Sequence, residues 1–443
     1  MSDDIFADDF HQQPVWWDEA GRPEAAIGDL PDSVDVLVIG SGFAGLNAAL
    51  MTARAGMSTL VLDKGALGRG ASTRLVGFIG RFLHYSIAKL IAMFGEEQAM
   101  AMYRESGDAH FYFLDFIKQE GFDVGLLYRG RFSAAHTPAA YEALAENARN
   151  IERHMPFSYE MCPRSDQRNH VGSDAFHGGM ILHEHGTVHP ARYHRCLVDA
   201  VRKAGGLVIG DNAVLKVEGQ RQAFTVATQQ GTIRAREVIA CTNGYSNEIR
   251  DAVPYLRKRV VPVAGYQIAT EPISAERMKA VKPSGMAVYD TRVSLNWDRP
   301  TPDDRAIVYG GRSGTHEGDP LSKASYLHRK MVATYPDLEG VKIRRYWQGF
   351  MGFGIDRLTH VGCNEQGIHY ATSFSASGLP LGTYFGQKVG RRVAGLQGAD
   401  TCFWNLDFPT RFFFDGNPWF VPLMAARYDL EDLLFARGNK KTG

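Results

Sequence analysis

The stretch Asp35–Gly65, DVLVIGSGFAGLNAALMTARAGMSTLVLDKG, decides the fold. It opens with an apolar run to Ile39, the pattern of a strand buried on both faces. The turn Gly40-Ser41-Gly42-Phe43-Ala44-Gly45 comes next, then a helical stretch of small and apolar residues that stops at Gly56. A second apolar run ends at Asp63. Strand, helix and strand in this order form a βαβ unit with two parallel strands.

Gly40, Gly42 and Gly45 spell G-x-G-x-x-G between the strand and the helix. The first glycine permits the tight turn, the second lets the backbone approach a pyrophosphate, and the third lets the helix pack on the strand. The helix N-terminus then faces phosphate charge. Asp63 stands about 20 residues beyond the first glycine, where a carboxylate accepts hydrogen bonds from ribose hydroxyls. The motif predicts dinucleotide binding.

Two further segments suit an extended cofactor. GALGRGASTRLVGFIG (Gly65–Gly80) begins directly after Asp63 and is rich in glycine, serine and threonine. SFSASGLPLGTYFGQKVGRRVAG (Ser373–Gly395) reads as a strand, a small-residue turn and a helix with Pro380 in its first turn, a position Pro favours. A helix N-terminus there can stabilise negative charge on the edge of a reduced flavin.

The chain has 443 residues, enough for two or three domains, with 49 Lys+Arg against 49 Asp+Glu. That balance argues against nucleic acid or an anionic membrane surface as partner. Five scattered cysteines form no C-x-x-C pair, so neither a disulfide framework nor a thiolate zinc site is expected. The acidic start MSDDIFADDF is unlike a signal peptide, and no stretch reads as a membrane span, so a cytoplasmic protein is expected. Residues 1–33 form an N-terminal arm, anchored by Trp16 and Trp17. Helical patterns cover Ile87 to about Glu120, Ala139–Arg153, Pro190 to Gly205, and Val421–Ala436 at the C-terminal end. Alternating strands and a meander occupy most of the stretch from Ala213 to Arg345.

The blocks VLVIGSGFAGLNAA, LVLDKGALGRGAS, GTVHPARYHRCLVDAVRKAGG, REVIACTNGYS, AIVYGGR, WQGFMGFGIDRLTHVG and SFSASGLPLGTYFGQKVG run in order from about residue 34 to 395. In this order they resemble the D-amino-acid oxidase-like FAD-dependent oxidoreductases, the group of glycine, sarcosine and γ-glutamylputrescine oxidases. The N-terminal arm and C-terminal extension look closest to the γ-glutamylputrescine oxidase branch. The resemblance implies an α/β protein, a Rossmann-type FAD-binding domain interleaved with a mixed α+β substrate-binding domain. The first would come from 34–85, 186–245 and 346–400, and the second from 86–185 and 246–345, with 401–443 as an extension.

By the same resemblance, Ser41, Phe43 and Ala44 contact the pyrophosphate beside the three glycines. Asp63 and Lys64 take the adenosine ribose, Gly70, Ala71, Ser72 and Thr73 continue along the cofactor, and Val214 lies by the adenine. Thr242, Asn243 and Gly244 add to the set, and Gly378, Leu379, Pro380, Leu381 and Gly382 face the isoalloxazine. Where relatives often read GRNGG after GAS, this chain reads TRLVG. Relatives with covalent flavin use a histidine near that turn or a cysteine near the C-terminal flavin segment. Here those regions offer Thr73 and Arg74, and Tyr346, Trp347 and Gln348, so non-covalent FAD is expected.

The implied activity is oxidation of a C–N bond in a small amine or amino acid. Hydride would pass to flavin N5, water would hydrolyse the imine, and dioxygen would reoxidise the flavin with release of hydrogen peroxide. A dehydrogenase using a quinone or electron carrier, and a non-catalytic flavoprotein subunit, remain as alternatives; a nicotinamide-dependent dehydrogenase fits the C-terminal segment poorly. No dedicated catalytic residue stands out. Arg299 and Arg312 are candidates to clamp a substrate carboxylate bidentately, though either could equally be a solvated cation. Tyr266 and Trp297 could wall an amine or simply pack the core, and His84 is a further polar candidate. His170, His177, His183, His185, His189 and His194 crowd one region, but Pro190 breaks the helical spacing and no carboxylates accompany them. They read as hydrogen-bonded or solvated rather than metal-binding, and no metal is expected.

Overall fold

The computed structural model describes residues 5–24, 30–81, 85–249, 251–311 and 319–438, with backbone alone at 429 and 431–438. His84 and Arg312 lie outside the described residues.

The quoted stretch forms the centre of an eight-stranded sheet. Strand Ser33–Ile39 is flanked in parallel by Thr59–Leu62 and Gly231–Ala240, and Leu207–Ile209 extends the parallel set. His369–Thr372 runs parallel to the end of Gly231–Ala240, while the antiparallel ribbon Val214–Gln220 and Ala223–Thr228 forms the far edge. Val36 to Ile39 are nearly inaccessible, as their continuous apolar pattern requires. This is a Rossmann-type arrangement with mixed parallel and antiparallel pairing.

Helix Phe43–Arg54 follows the glycine turn and packs against helix Pro380–Val393. The approach is backbone to backbone: a Cβ on Gly386 would lie 2.3 Å from Ala44 O, and one on Gly390 2.4 Å from Ala48 O. Only glycine permits that contact. Between these helices and helix Pro190–Lys203, Asn47 donates to Phe43 O and Tyr193, and Gln387 donates to Asn47. Tyr193 Oη also pairs with Thr383 Oγ1 at 2.7 Å, so the buried polar groups satisfy one another.

The second sheet has nine strands. Its order is Phe6–His11, Ile343–Gly354, Val260–Thr270, Ile307–Gly311, Asn296–Pro300, Ala287–Asp290, Arg131–Ala134, Gly179–Leu182 and Tyr159–Cys162. Helix Pro320–Thr334 covers one face, burying Leu327 and Met331 against Ile268 and Ile307. Two differences from the sequence reading concern boundaries. Ile343–Gly354, grouped from residue 346 with the cofactor-binding segments, pairs along its length with Val260–Thr270 and so belongs to this sheet. The helical stretch after Ile87 is two helices, Ile87–Phe94 and Glu96–Gln119, because Gly95 takes φ +79 and caps the first.

The N-terminal arm packs on the nine-stranded sheet and on the segment after Gly70. Phe6–His11 adds an edge strand, and Trp16 is buried with its Nε1 donating to Leu75 O. Trp17 Nε1 donates to Thr73 Oγ1, and its ring lies 4.9 Å from the guanidinium of Arg74. At the other end, helix Val421–Gly438 leaves Phe412, Trp419 and Leu423 exposed nearby. No described helix is long and apolar enough to cross a membrane.

Candidate cofactor and substrate site

A groove opens at the carboxyl ends of the parallel strands, where ligands settle in sheets of this kind. Gly40, Ser41, Gly42, Phe43 and Ala44 form its floor. Gly40 has φ +102, and a Cβ there would lie 2.9 Å from Cys241 O. Gly45 does not line the groove: its Cβ would lie 2.0 Å from Gly40 O, so it permits the turn to pack on the helix. Helix Phe43–Arg54 has no side-chain cap at Gly42, and its first-turn amides are left to a ligand, except Phe43 N, which donates to Ser72 Oγ.

Asp63 ends the second strand and lies against the turn. Its Oδ2 accepts from Ser41 N at 2.8 Å and Ser41 Oγ at 2.6 Å, and its Oδ1 accepts from Gly65 N. Lys64, Gly70, Ala71, Ser72, Val214, Thr242, Asn243 and Gly378 also line the groove. The other residues proposed from the sequence do not border the groove itself. Thr73 is buried and bonds to Gly68 O, while Leu379, Pro380, Leu381 and Gly382 are buried at the start of the helix at Pro380, with a Cβ on Gly382 falling 3.7 Å from Ala44 N of the turn. Gly244 makes room for Phe350 O, 2.6 Å from where its Cβ would be.

Sequence reasoning missed His194, Tyr245, Arg69 and Phe374 in the lining. His194 Nε2 donates to Ser41 O at 2.8 Å, holding the turn from beneath. Burial pushes its pKa down, which keeps the imidazole neutral and one nitrogen a donor. The histidine-rich segment thus has a structural role here; His189 likewise caps its helix by accepting from Arg192 N. Among the described residues, no group of three or more His, Cys, Asp or Glu side chains could hold a metal ion.

The segment Gly70–Phe78 leaves the groove and runs under one face of the nine-stranded sheet. Gln267 Nε2 and Trp347 Nε1 both donate to Arg74 O, at 2.5 and 2.8 Å. This inner face carries Gln267, Trp297, Tyr289 and Ser133, which share it through the cross-strand pairs Gln267–Gly310, Gly310–Trp297, Trp297–Tyr289 and Tyr289–Ser133.

Two substrate candidates need correction. Tyr266 alternates with Gln267 and points to the opposite face, where its hydroxyl accepts from Lys323 Nζ at 3.1 Å. It therefore cannot form one wall with Trp297; it borders a separate cavity of about 420 Å³ roofed by the C-terminal segment around Phe413, Phe420 and Tyr428. Arg299 is fully buried, and its guanidinium is committed to protein carbonyls. It donates to Pro300 O, Val76 O and Val188 O at 2.9–3.2 Å and stacks on Trp16, which leaves only Nη2 without a partner. Arg299 ties strand Asn296–Pro300 to the segment below it.

The family model described as FAD dependent oxidoreductase matches residues 35–392. The chain belongs to that family. It is 29% identical over 406 residues to the gamma-glutamylputrescine oxidoreductase of Escherichia coli K12, covering 90% of this chain and 93% of the relative. It is 21% identical to the glycine oxidase of Bacillus licheniformis, over 82% of this chain and 93% of the relative. Among solved structures, glycine oxidase from Geobacillus kaustophilus superimposes with a TM-score of 0.68 at 18% identity, covering 83% of this chain and 96% of that one. L-proline dehydrogenase from P. horikoshii gives the same TM-score at 16% identity, covering 84% and 96%. These two share the fold.

The groove fits FAD on its own chemistry. It combines a helix N-terminus without a side-chain cap, where a pyrophosphate would sit, and the Asp63 carboxylate at the end of the second strand, where ribose hydroxyls would reach it. Replacing Asp63 by Ala should weaken FAD binding by on the order of 1.5–3 kcal/mol, because a charged acceptor is lost and Ser41 N loses its partner. Titration of apoprotein with FAD measures this, and an unchanged Kd would remove Asp63 from the site.

Proposed function

We propose that the protein oxidises the C–N bond of a small amine or amino acid, with dioxygen as the terminal acceptor. The observation that carries this reading is the path of Gly70–Phe78, which runs from the FAD groove to the sheet face where Gln267 and Trp347 bond to Arg74 O. The similarity to a gamma-glutamylputrescine oxidoreductase over most of both chains supports the same substrate class. FAD held in the groove supplies the oxidant for the carbon bearing the nitrogen. The turn at Gly40–Ala44, Asp63 and Ser72 would hold and orient it.

The chain's own contribution is to bind and shield. Trp297 is buried on the inner face, and Trp16 and Trp347 close the space around Leu75 and Val76, so bulk water is kept from that face. None of the residues Gln267, Trp297, Tyr289 and Ser133 is an acid, so the face offers no counter-ion to an ammonium and favours the amine with its lone pair available.

The holoenzyme should lose its yellow colour when mixed anaerobically with the right amine and regain it, with peroxide, when air enters. Recovery only with a quinone would make it a dehydrogenase, and failure of every amine and amino acid to bleach it would end the reading. The same preparation should release FAD on acid precipitation, as expected of a chain with Thr73 and Arg74 at the turn where relatives carry a linking histidine.

A further inference from the structure

The cavity under the C-terminal segment exists because one strand of the nine-stranded sheet ends early. Strand Ile307–Gly311 pairs with Val260–Thr270 from Ala269 back to Tyr266, where Gly311 is the last partner. Among the described residues, Val260–Gly265 therefore has Ile343–Gly354 on one side and no strand on the other. Val293, Ser294 and the segment from Arg411 to Tyr428 stand at that open edge and enclose about 420 Å³. Val261 and Val263 line the space, and so do Pro262, Ala264 and Tyr266, which alternate with them. The cavity thus reaches both faces of the sheet around the edge, and Val261 and Val263 share the inner face with Gln267.

One ring separates this cavity from the FAD groove. Phe350 lines the cavity and Tyr245 lines the groove, and the two rings meet edge to face with centroids 5.7 Å apart. A second link runs through Ser375, whose Oγ donates to Arg357 O at 3.1 Å. Arg357 lines the cavity, and Phe374, beside Ser375, lines the groove.

The lining sets the chemistry of what fits. Phe350, Phe353, Phe413 and Phe420 present four phenyl rings together with Met424, and no Asp or Glu lines the space. A free ammonium would find no counter-ion there, whereas apolar surface is offered on every side. The two tyrosine hydroxyls are engaged with the protein: Tyr266 accepts from Lys323, and Tyr428 accepts from Arg357. At the rim, Val293, Met424 and Phe413 are 37%, 38% and 41% exposed, apolar area that a ligand would cover. An apolar cavity of about 150 Å³ holds benzene, so this one has room for a ring on a short chain. The roof is built from residues 411–428, beyond the stretch 35–392 that matches the family.

We propose that this cavity binds a phenyl-sized apolar group of the substrate, and that the C-terminal segment sets that specificity. The ligand class is an amine carrying an aromatic group on a short chain, its nitrogen on the inner face and its ring around the open edge. The inference rests on the C–N oxidase reading for the identity of the ligand, but the apolar site itself does not.

The test uses holoenzyme and two amine-free probes, 2-phenylethanol and ethanol, measured by calorimetry and by their effect on the flavin spectrum. Wild type should bind 2-phenylethanol at least about tenfold more tightly than ethanol, because only the first buries a ring. Ala425 is half-buried on the roof and lines the cavity. Ala425→Trp, which fills the space from above, should weaken 2-phenylethanol at least about tenfold with the Kd for FAD unchanged, while Ala425→Ser should bind it as wild type does. In turnover, the preference in kcat/KM for 2-phenylethylamine over ethylamine should fall about tenfold in Ala425→Trp. Equal binding of the two alcohols by wild type overturns the proposal without any variant, which covers the case that Ala425→Trp does not fold. A binding or turnover preference that survives intact in folded Ala425→Trp overturns it too. If 2-phenylethanol binding is lost in Ala425→Trp while no amine reduces the flavin of wild type, the apolar site stands and the C–N oxidase reading falls.

Discussion

Asp298→Asn is expected to destabilise the protein by about 3–5 kcal/mol, with FAD affinity of the folded fraction unchanged. Asp298 lies on the outer face of the nine-stranded sheet, one residue from Trp297 and facing the other way. It contacts Lys282, and Tyr335 bridges the two: Lys282 Nζ donates to Tyr335 Oη at 2.7 Å, which donates to Asp298 Oδ2 at 2.9 Å. All three are almost wholly buried, at 3%, 3% and 0% exposure. Burial pushes the lysine pKa down and the carboxyl pKa up, so each group depends on the other to stay charged. Asparagine keeps the shape and can still accept from Tyr335, but it leaves the ammonium without a counter-ion. Denaturant unfolding followed by fluorescence measures the loss. A change below about 1 kcal/mol would mean that Lys282 is neutral in the folded protein. Asp298→Asn with Lys282→Met should recover much of the stability, because removing both charges avoids the unpaired one.

That pair was invisible in the sequence, and the reason is general to this chain. The glycine turn could be read because every feature it needs lies within thirty residues or so: strand, turn, helix and Asp63 follow from local periodicity and spacing. The helix at Pro380 was legible for the same reason. The substrate face depends instead on register between strands far apart in the chain. Tyr266 and Trp297 were each reasonable aromatic candidates, but Tyr266 pairs with Gly311 and Trp297 with Gly310, one residue apart and therefore on opposite faces. Arg299 stood out for its place in the meander, yet its partners Val76 and Val188 come from other parts of the chain.

The second large effect expected is a loss of stability in mild acid, beginning below about pH 6.5. His110 and His189 are 0% and 1% exposed, and burial lowers each to about pKa 4. His110 faces Tyr128, with Arg81 and Arg131 opposing its protonation. His189 accepts from Arg192 N through Nδ1 and reaches Glu19 through Nε2, while Arg299 opposes its charge. The Glu19 carboxylate favours protonation, but it is half exposed and does not offset the burial. Unfolded, both histidines would titrate near 6.5, so below that pH the unfolded chain binds more protons than the folded one, and stability falls as pH falls. By pH 5 each contributes a loss of about 2 kcal/mol, or about 4 kcal/mol together, and the loss levels off below pH 4 when the folded residues also protonate. His185 and His194, lowered in the same direction by burial, steepen the slope. Urea midpoints of holoenzyme between pH 5 and 7.5, at fixed FAD, give the measurement. His110→Asn should flatten the curve by one proton's worth, since it removes a titrating ring while keeping a polar group opposite Tyr128. A midpoint that stays level from pH 7.5 to 5 would show that these imidazoles reach water in the folded protein and that their burial does not set their charge.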